Sequence, residues 1–277
     1  MTLDLVPASA CAGIMNVPRD QHFLVDPAAV ERIAGLVEVC DRRVLEIGPG
    51  EGVLTRAHLD RGAHVIAIEI DRDLCDDLAD QFDREIACGQ LELIHGDAVR
   101  VPLPSFEMAV SNLPYSASSK ITFRMLDAGF AEAVLMYQLE FAKRMVAPVG
   151  TPDCGRLSVM VQTFCCVRIC FELQPNVFRP RPQVRSAVVH LIPRDPIFPI
   201  PDRARYADVV RALFTHRRKT VRNCLKTTDI LGPDLVARML SSLPEEVLSS
   251  RPEELYLEDF ATIANIGSDD TARKAGL

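Results

Sequence analysis

Asn112-Leu113-Pro114-Tyr115 carries the most chemistry for its length in this chain. It sets a carboxamide beside a phenol ring on a corner that Pro114 stiffens. Proline has no N–H with which to continue a sheet ladder, and it drives the preceding residue into an extended conformation. A flat ring bearing an amino group suits such a corner. The Asn112 side-chain oxygen and the Leu113 carbonyl would accept the two amino hydrogens and turn the nitrogen lone pair outward. Tyr115 would stack on the ring, an interaction worth ~1–3 kcal/mol per base, and Pro114 would border it. An ordinary strand-ending turn has the same four-residue signature.

A second group of residues suits a small donor molecule. Glu46-Ile47-Gly48-Pro49-Gly50-Glu51-Gly52 is a glycine-rich turn, and glycine lets backbone approach a ligand closely. A dinucleotide fingerprint, G-x-G-x-x-G, would need glycine where Val53 stands. The spacing here is G-x-G-x-G, with Glu46 shortly before the first glycine. A carboxylate there suits an amino group better than a pyrophosphate, which favours S-adenosyl-L-methionine, with its zwitterionic amino-acid end. Glu69 ends a second apolar run and is placed to accept from both hydroxyls of a ribose. Asp97 in Gly96-Asp97-Ala98 either accepts from an adenine amino group or closes an Asx turn. His22 reads either as a polar residue before a helix or as a hydrogen-bonding group folded over a bound molecule.

These residues require an alternating scaffold. Asp26 and Pro27 are a good N-cap and first helical residue for a helix through Leu36. Apolar runs predict strands at 43–47, 64–71, 91–95 and 106–111, with helices at 53–59, 73–82 and 117–127. Four successive strand ends then carry a glycine turn, a Glu, an Asp and an Asn. A strand at 133–136, helices at 138–145 and 155–164, and strands at 167–173 and 186–192 follow. The expected fold class is α/β, a Rossmann-like sheet with helices on both faces. Val177-Phe178-Arg179-Pro180-Arg181-Pro182 is too proline-rich for a central strand. Phe178 either covers a nucleobase, with the adjacent arginines on its phosphates, or is the buried residue of a rigid connector.

The chain has 277 residues, 48% of them hydrophobic, and a net charge of −7. That is ample for a core and argues against nonspecific coating of nucleic acid. The nine cysteines include no C-x-x-C pair, so zinc-ligand spacing is absent and reduced thiols in a cytoplasmic protein are expected. No run approaches the ~20 apolar residues that span a membrane. Four prolines from Pro193 to Pro201 mark a linker. Beyond it, residues 202–226 hold eight Lys and Arg against two Asp, and 227–260 reverse the balance. Arg217, Arg218 and Lys219 are the densest point, either an RNA-backbone contact or a solvated helix face. The expected division is an arm at 1–20, a donor-binding domain at 21–195, a helical domain at 196–266 and a disordered tail at 267–277.

Placed together, Gln21-His22-Phe23-Leu24, Glu46-Ile47-Gly48-Pro49-Gly50, Ile68-Glu69-Ile70-Asp71, Gly96-Asp97-Ala98 and Asn112-Leu113-Pro114-Tyr115 resemble the rRNA adenine N6,N6-dimethyltransferase family in an archaeal-like form. Gly155-Arg156-Leu157-Ser158-Val159-Met160, Phe178-x-Pro180-x-Pro182 and Arg217-Arg218-Lys219-Thr220 also match, in family order. The resemblance implies a methyltransferase domain using S-adenosyl-L-methionine, a small helical C-terminal domain, and small-subunit rRNA in immature ribosomal subunits as substrate. A monomer without metal is expected. By position, His22 and Leu24 would touch the donor, Gly48 its methionine end, Glu69 its ribose and Asp97 its adenine. Asn112, Leu113 and Tyr115 would hold the target base, with Phe178 over it. Many relatives have Asn at the place of His22 and Asp at that of Arg185, and residues 1–20 lack their basic lead-in. Two alternatives stand beside this reading. One is a large-subunit rRNA adenine methyltransferase of the antibiotic-resistance type; the other is a noncatalytic RNA-binding assembly factor.

Overall fold

The computed structural model describes residues 21–266, so the expected arm and tail lie outside the described residues. The chain opens with β1 (Phe23–Leu24) and α1 (Pro27–Ala34), whose N-cap Asp26 accepts from the Ala29 N–H. The alternating half follows as β2 (Arg43–Ile47), α2 (Val53–Leu59), β3 (His64–Glu69), α3 (Arg72–Gln81), α4 (Asp83–Ala87) and β4 (Leu91–His95). Next come β5 (Met108–Asn112), α5 (Ser118–Ala128), β6 (Glu132–Gln138), α6 (Leu139–Met145), α7 (Arg156–Phe164), β7 (Cys165–Leu173), β8 (Phe178–Arg179) and β9 (Ser186–Pro193). The last helices are α8 (Arg203–Thr215), α9 (Val221–Thr227), α10 (Pro233–Ser242), α11 (Glu245–Ser249) and α12 (Leu257–Asn265).

Seven strands form one sheet in the order β4-β3-β2-β5-β6-β9-β7. From β4 to β6 all neighbours are parallel, whereas β9 runs antiparallel to both β6 and β7. One apolar cluster fills one face of the sheet, around Val44, Val65, Val110 and α1 to α3; a second fills the other, around Leu45, Ile66, Leu135 and α5 to α7. Helices therefore cover both faces, as the near-continuous apolar runs of buried parallel strands require.

The feature that positions the site is the reversal of strand order between β2 and β5. These two strands pair only at Val44↔Met108 and Leu45↔Ala109. Beyond that they part, and the Ser111 hydroxyl oxygen accepts the Ile47 N–H at 2.9 Å instead. A crevice at the carboxyl ends of strands, where the order reverses, is where open α/β sheets bind ligands.

The structure shifts several predicted boundaries. β5 starts at Met108 rather than Phe106 because pairing with β2 starts there. β7 starts at Cys165, with no loop after α7, because its ladder with β9 extends to Cys165↔Pro193. The short ribbon β1–β8 and the five-residue α4 were not expected; segments so short have no period to read. Helices α8 to α12 surround a third cluster that also takes Val159, Met160 and Phe164 from α7. The helical unit thus shares its core with the preceding part of the chain. Among the described residues no helix is long and apolar enough to cross a membrane.

Candidate active site

The crevice is an open cleft with about 730 Å³ of empty space. Gln21 to Leu24, the glycine turn, Glu46, Glu69 and the Asn112–Tyr115 corner all line it. Eight of the predicted site residues therefore meet in one place: His22, Leu24, Gly48, Glu69, Asn112, Leu113, Pro114 and Tyr115.

The corner is held from three sides. The Asn112 side-chain N–H donates to the His22 carbonyl at 2.8 Å. A carbonyl only accepts, so this bond fixes the amide orientation and leaves Oδ1 as its acceptor end. The Tyr115 hydroxyl bonds Ser186 Oγ at 2.6 Å, so the first residue of β9 steadies the phenol ring. Behind them, Ser118 Oγ donates to the Pro114 carbonyl at 3.0 Å, and Thr122 Oγ1 links the Ser118 carbonyl at 2.7 Å to the buried Tyr137 hydroxyl at 2.9 Å. Burial pushes the Tyr137 phenol well above its ordinary range, which keeps it a neutral strut. The His22 Nδ1–H donates to the Pro180 carbonyl at 2.8 Å, and the His22 ring lies 5.4 Å from that of Tyr115, tilted by 36°.

The donor side is built from turns and two carboxyl groups. Glu69 is buried, and its carboxylate accepts from the backbone N–H groups of Gly50 at 3.2 Å and of Ile70 and Asp71 at 2.9 Å each. Those bonds lock it at the rim of β3. Glu46 is buried below the turn and accepts from Thr55 Oγ1 at 2.7 Å. Burial pushes its carboxyl up to about 8, a rise the Thr55 bond opposes and the nearby Glu69 charge reinforces. A cationic ligand reverses such a penalty. Gly50 has φ of +59°, and a Cβ there would lie 2.6 Å from Cδ1 of Phe23. A Cβ on Gly48, at φ +68°, would project between Pro114 and the Asn112 carbonyl. The acidic walls and close backbone approach fit S-adenosyl-L-methionine, a zwitterion with an added sulfonium charge.

Five predicted site residues lie elsewhere. Asp97 does not line the cleft: its Oδ1 accepts the Val99 N–H at 2.8 Å and its Oδ2 lies 3.3 Å from Arg100. The Asx-turn alternative describes its present contacts. Phe178 is 2% exposed and packs with Leu24, Val30 and Ile33 in the core. A base-covering position is thereby corrected, because β8 pairs with β1 and turns the ring inward. Arg217 donates to the Pro152 carbonyl and pairs with Glu253 at 3.1 Å, tying the end of α8 to two loops. Its side chain is nonetheless about half exposed, at 49%. Arg218 and Lys219 are exposed, without an ion pair among the described residues.

The residues missed from sequence are the supports. Phe23 lies inside a recognised motif, but its packing on Gly50 has no sequence signal. Ser111, Thr55 and Ser186 are ordinary polar residues within apolar segments until their partners are seen. Arg124 is another: its guanidinium donates to the Ala98 and Val101 carbonyls at 2.5 and 2.8 Å, stapling the Asp97 turn to α5. A second depression, at the other end of the sheet, is bordered by Arg194, Arg203 and Cys165. Both arginines there are taken by backbone carbonyls, of Gln162 and Leu126, and burial pushes the Cys165 thiol up to about 12. It offers no activated nucleophile. Among the described residues no group of three or more His, Cys, Asp or Glu could hold a metal ion.

Comparison with known proteins agrees with this geometry. Residues 16–264 match the profile of the family described as ribosomal RNA adenine dimethylase. A probable ribosomal RNA small subunit methyltransferase A of Methanospirillum hungatei is 57% identical over 252 residues, covering 91% of this chain and 98% of that protein. Its counterpart in Halobacterium salinarum is 44% identical over 257 residues, covering 92% and 91%. Among solved structures, a dimethyladenosine transferase of Plasmodium falciparum superposes with a TM-score of 0.73 at 28% identity, covering 91% of this chain and 98% of that one. The 23S rRNA methyltransferase ErmE superposes with 0.62 at 27% identity, covering 88% and 99%. The chain belongs to the ribosomal RNA adenine dimethylase family and is an S-adenosyl-L-methionine-dependent methyltransferase of Rossmann-like fold.

Proposed function

We propose that this enzyme adds two methyl groups to the N6 of each of two adjacent adenines near the 3′ end of small-subunit rRNA, in immature subunits in the cytoplasm. The observation that carries the reading is the Asn112 amide, oriented by the His22 carbonyl on the wall of the cleft that also holds Glu46 and Glu69. The names of the relatives, at 57% and 44% identity, favour the small subunit over the large one. Action as a monomer is part of this reading. In this reading residues 21–195 form the catalytic domain and 196–266 the helical one.

S-adenosyl-L-methionine supplies an electrophilic methyl group on its sulfonium sulfur. Glu69 would hold its ribose hydroxyls, Gly48 and Leu24 its methionine part, and Asp97, which lies outside the cleft lining, its adenine. His22, whose backbone is tied to Asn112, closes the wall between donor and base. An exocyclic adenine nitrogen is a poor nucleophile because its lone pair is delocalised into the ring. Asn112 Oδ1 and the Leu113 carbonyl accept its hydrogens and favour a tetrahedral nitrogen whose lone pair faces the methyl carbon. Tyr115, braced by Ser186, stacks on the base and keeps that line of attack. The acceleration rests on alignment and fixed dipoles. The target base must be unstacked to enter, which suits a loop nucleotide.

The direct test is transfer of labelled methyl from S-adenosyl-L-methionine to unmethylated small subunits, with the modified positions mapped by primer extension. Adjacent dimethyladenosines near the 3′ end are expected. Label only in large-subunit rRNA, or none with intact donor binding, would overturn the reading.

A further inference from the structure

We propose that Arg179 and Arg181 form a phosphate clamp at the mouth of the cleft, gripping the RNA backbone beside the target adenosine. The inference rests on the functional reading above and concerns residues outside the Asn112 corner and the donor pocket.

The ribbon carries the geometry. In an antiparallel pair, residues directly opposite share a face. Phe178 faces Leu24, and both are buried in the core. Arg179 faces Phe23, so both spring from the other face. Phe23 and Leu24 both line the cleft, Phe23 against the glycine turn, so Arg179, opposite Phe23 but not itself a lining residue, lies next to the cleft's rim. Just beyond it, the Pro180 carbonyl is held by the His22 ring at 2.8 Å, and Pro182 is buried. The segment between is therefore fixed at both ends beside the ring that neighbours Tyr115.

The charges point the same way. Arg179 and Arg181 are exposed and have no ion pair among the described residues. Other arginines near this segment are engaged: Arg185 pairs with Glu172 at 2.6 Å, and Arg32 sits 3.6 Å over the Phe171 ring. Cations left unpaired on a fixed rim are available to an anion. Such an anion is needed here for an electrostatic reason. The cleft is walled in part by Glu51 and Glu69, and the whole chain carries −7. Those charges favour a cationic donor but repel the polyanion that must deliver the base. Two cations at the mouth offset that repulsion locally and set the register of the strand, as bonds to phosphate oxygens do. Neither Pro180 nor Pro182 can donate to a ladder, so β8 ends at Arg179 and Arg181 stays outside the ribbon.

The test is the salt dependence of binding to unmethylated small subunits, for wild type, R179Q/R181Q and R179K/R181K. Removing one Arg–phosphate pairing should lower the slope of log affinity against log salt by about 0.7 on a single strand. The glutamine pair should lose about two such increments and the lysine pair should recover them. Affinity for S-adenosyl-L-methionine, measured by calorimetry, should be unchanged in both. An unchanged slope in the glutamine variant, with a wild type that methylates the subunits, overturns the clamp alone. A parallel loss of donor affinity also overturns it, by assigning the arginines to the donor's carboxylate. A wild type that transfers no methyl to these subunits overturns the functional reading itself.

Discussion

At the scale of single residues, Asn112 and Glu69 divide the labour and should fail differently. Asn112→Ala removes the acceptor proposed to meet the nucleophile and leaves the other lining residues of the cleft in place. Turnover should fall by about two to three orders of magnitude, the usual loss for one preorganised polar group. Donor affinity should hold; single-turnover transfer and calorimetry separate the two effects. Glu69→Ala should instead weaken donor binding by about tenfold or more, as for a charged hydrogen bond. It should also lower the melting temperature, because three backbone N–H groups lose their acceptor. An Ala variant with wild-type donor affinity would contradict the ribose assignment. Glu46 adds a pH signature. Its carboxyl is pushed from 4.5 up to about 8 by burial. A raised value means its full contribution to stability exists below the ordinary carboxylate range and is lost as pH rises through about 8. Glu46→Gln should therefore flatten the decline in thermal midpoint between mildly acidic and alkaline buffer. Donor binding near neutral pH should release a proton in wild type and not in the variant, read by calorimetry in two buffers of unlike ionisation enthalpy.

At the scale of elements, the glycine turn and the ribbon form a single joint. Gly50→Ala would place a methyl 2.6 Å from the Phe23 ring at a φ of +59°. The left-handed backbone alone costs about 1–2 kcal/mol for a residue with a Cβ, and Phe23 must also be displaced. Chemical denaturation should show at least that loss, together with weakened donor binding; a neutral substitution would mean the turn can relax without the ribbon. The same elements show what was legible beforehand. β2, α2 and β4 were expected with the bounds observed, because buried parallel strands read as unbroken apolar runs between turn signals. The strand-end acids and the amide were legible because each sits where such a run stops. Phe178 was not, because its environment depends on a two-rung pairing with residues 23 and 24, far away in sequence. Asp97 shows the same limit: the residue type was read, but whether its carboxylate faces a ligand or Arg100 depends on a loop packed by Arg124. Ser186 had no signal at all, since its partner Tyr115 is fixed by the sheet order and not by any local pattern.

At the scale of the molecule, stability is bounded from the acid side by a buried histidine. His58 is fully buried in α2, neither ring nitrogen has a partner among the described residues, and burial lowers its value from 6.5 to about 4. A lowered value means the fold keeps its full advantage above the ordinary imidazole range and loses it as pH falls toward about 4. His58→Leu should shift the acid unfolding midpoint downward and raise the melting temperature at neutral pH, since it removes two unsatisfied polar atoms from the core. A lower melting temperature would mean that the imidazole's shape matters more than its polarity. The helical unit is coupled to the sheet by α7, which contributes to its core, and by Arg217, which joins α8 to the loops at Pro152 and Glu253.

The ribbon of β1 and β8 has one further consequence. It is two residues long on each side, yet it brings Phe23 against the glycine turn and, through His22, secures the amide proposed to meet the base. Making a dimethylated adenine consumes two donors, so by-product must escape and be replaced while a half-finished nucleotide waits. If the clasp loosens faster than RNA departs, one encounter completes the modification. If it loosens more slowly, singly methylated adenines will accumulate and be released. Processivity in this enzyme then reduces to a race between a two-rung clasp and a departing strand.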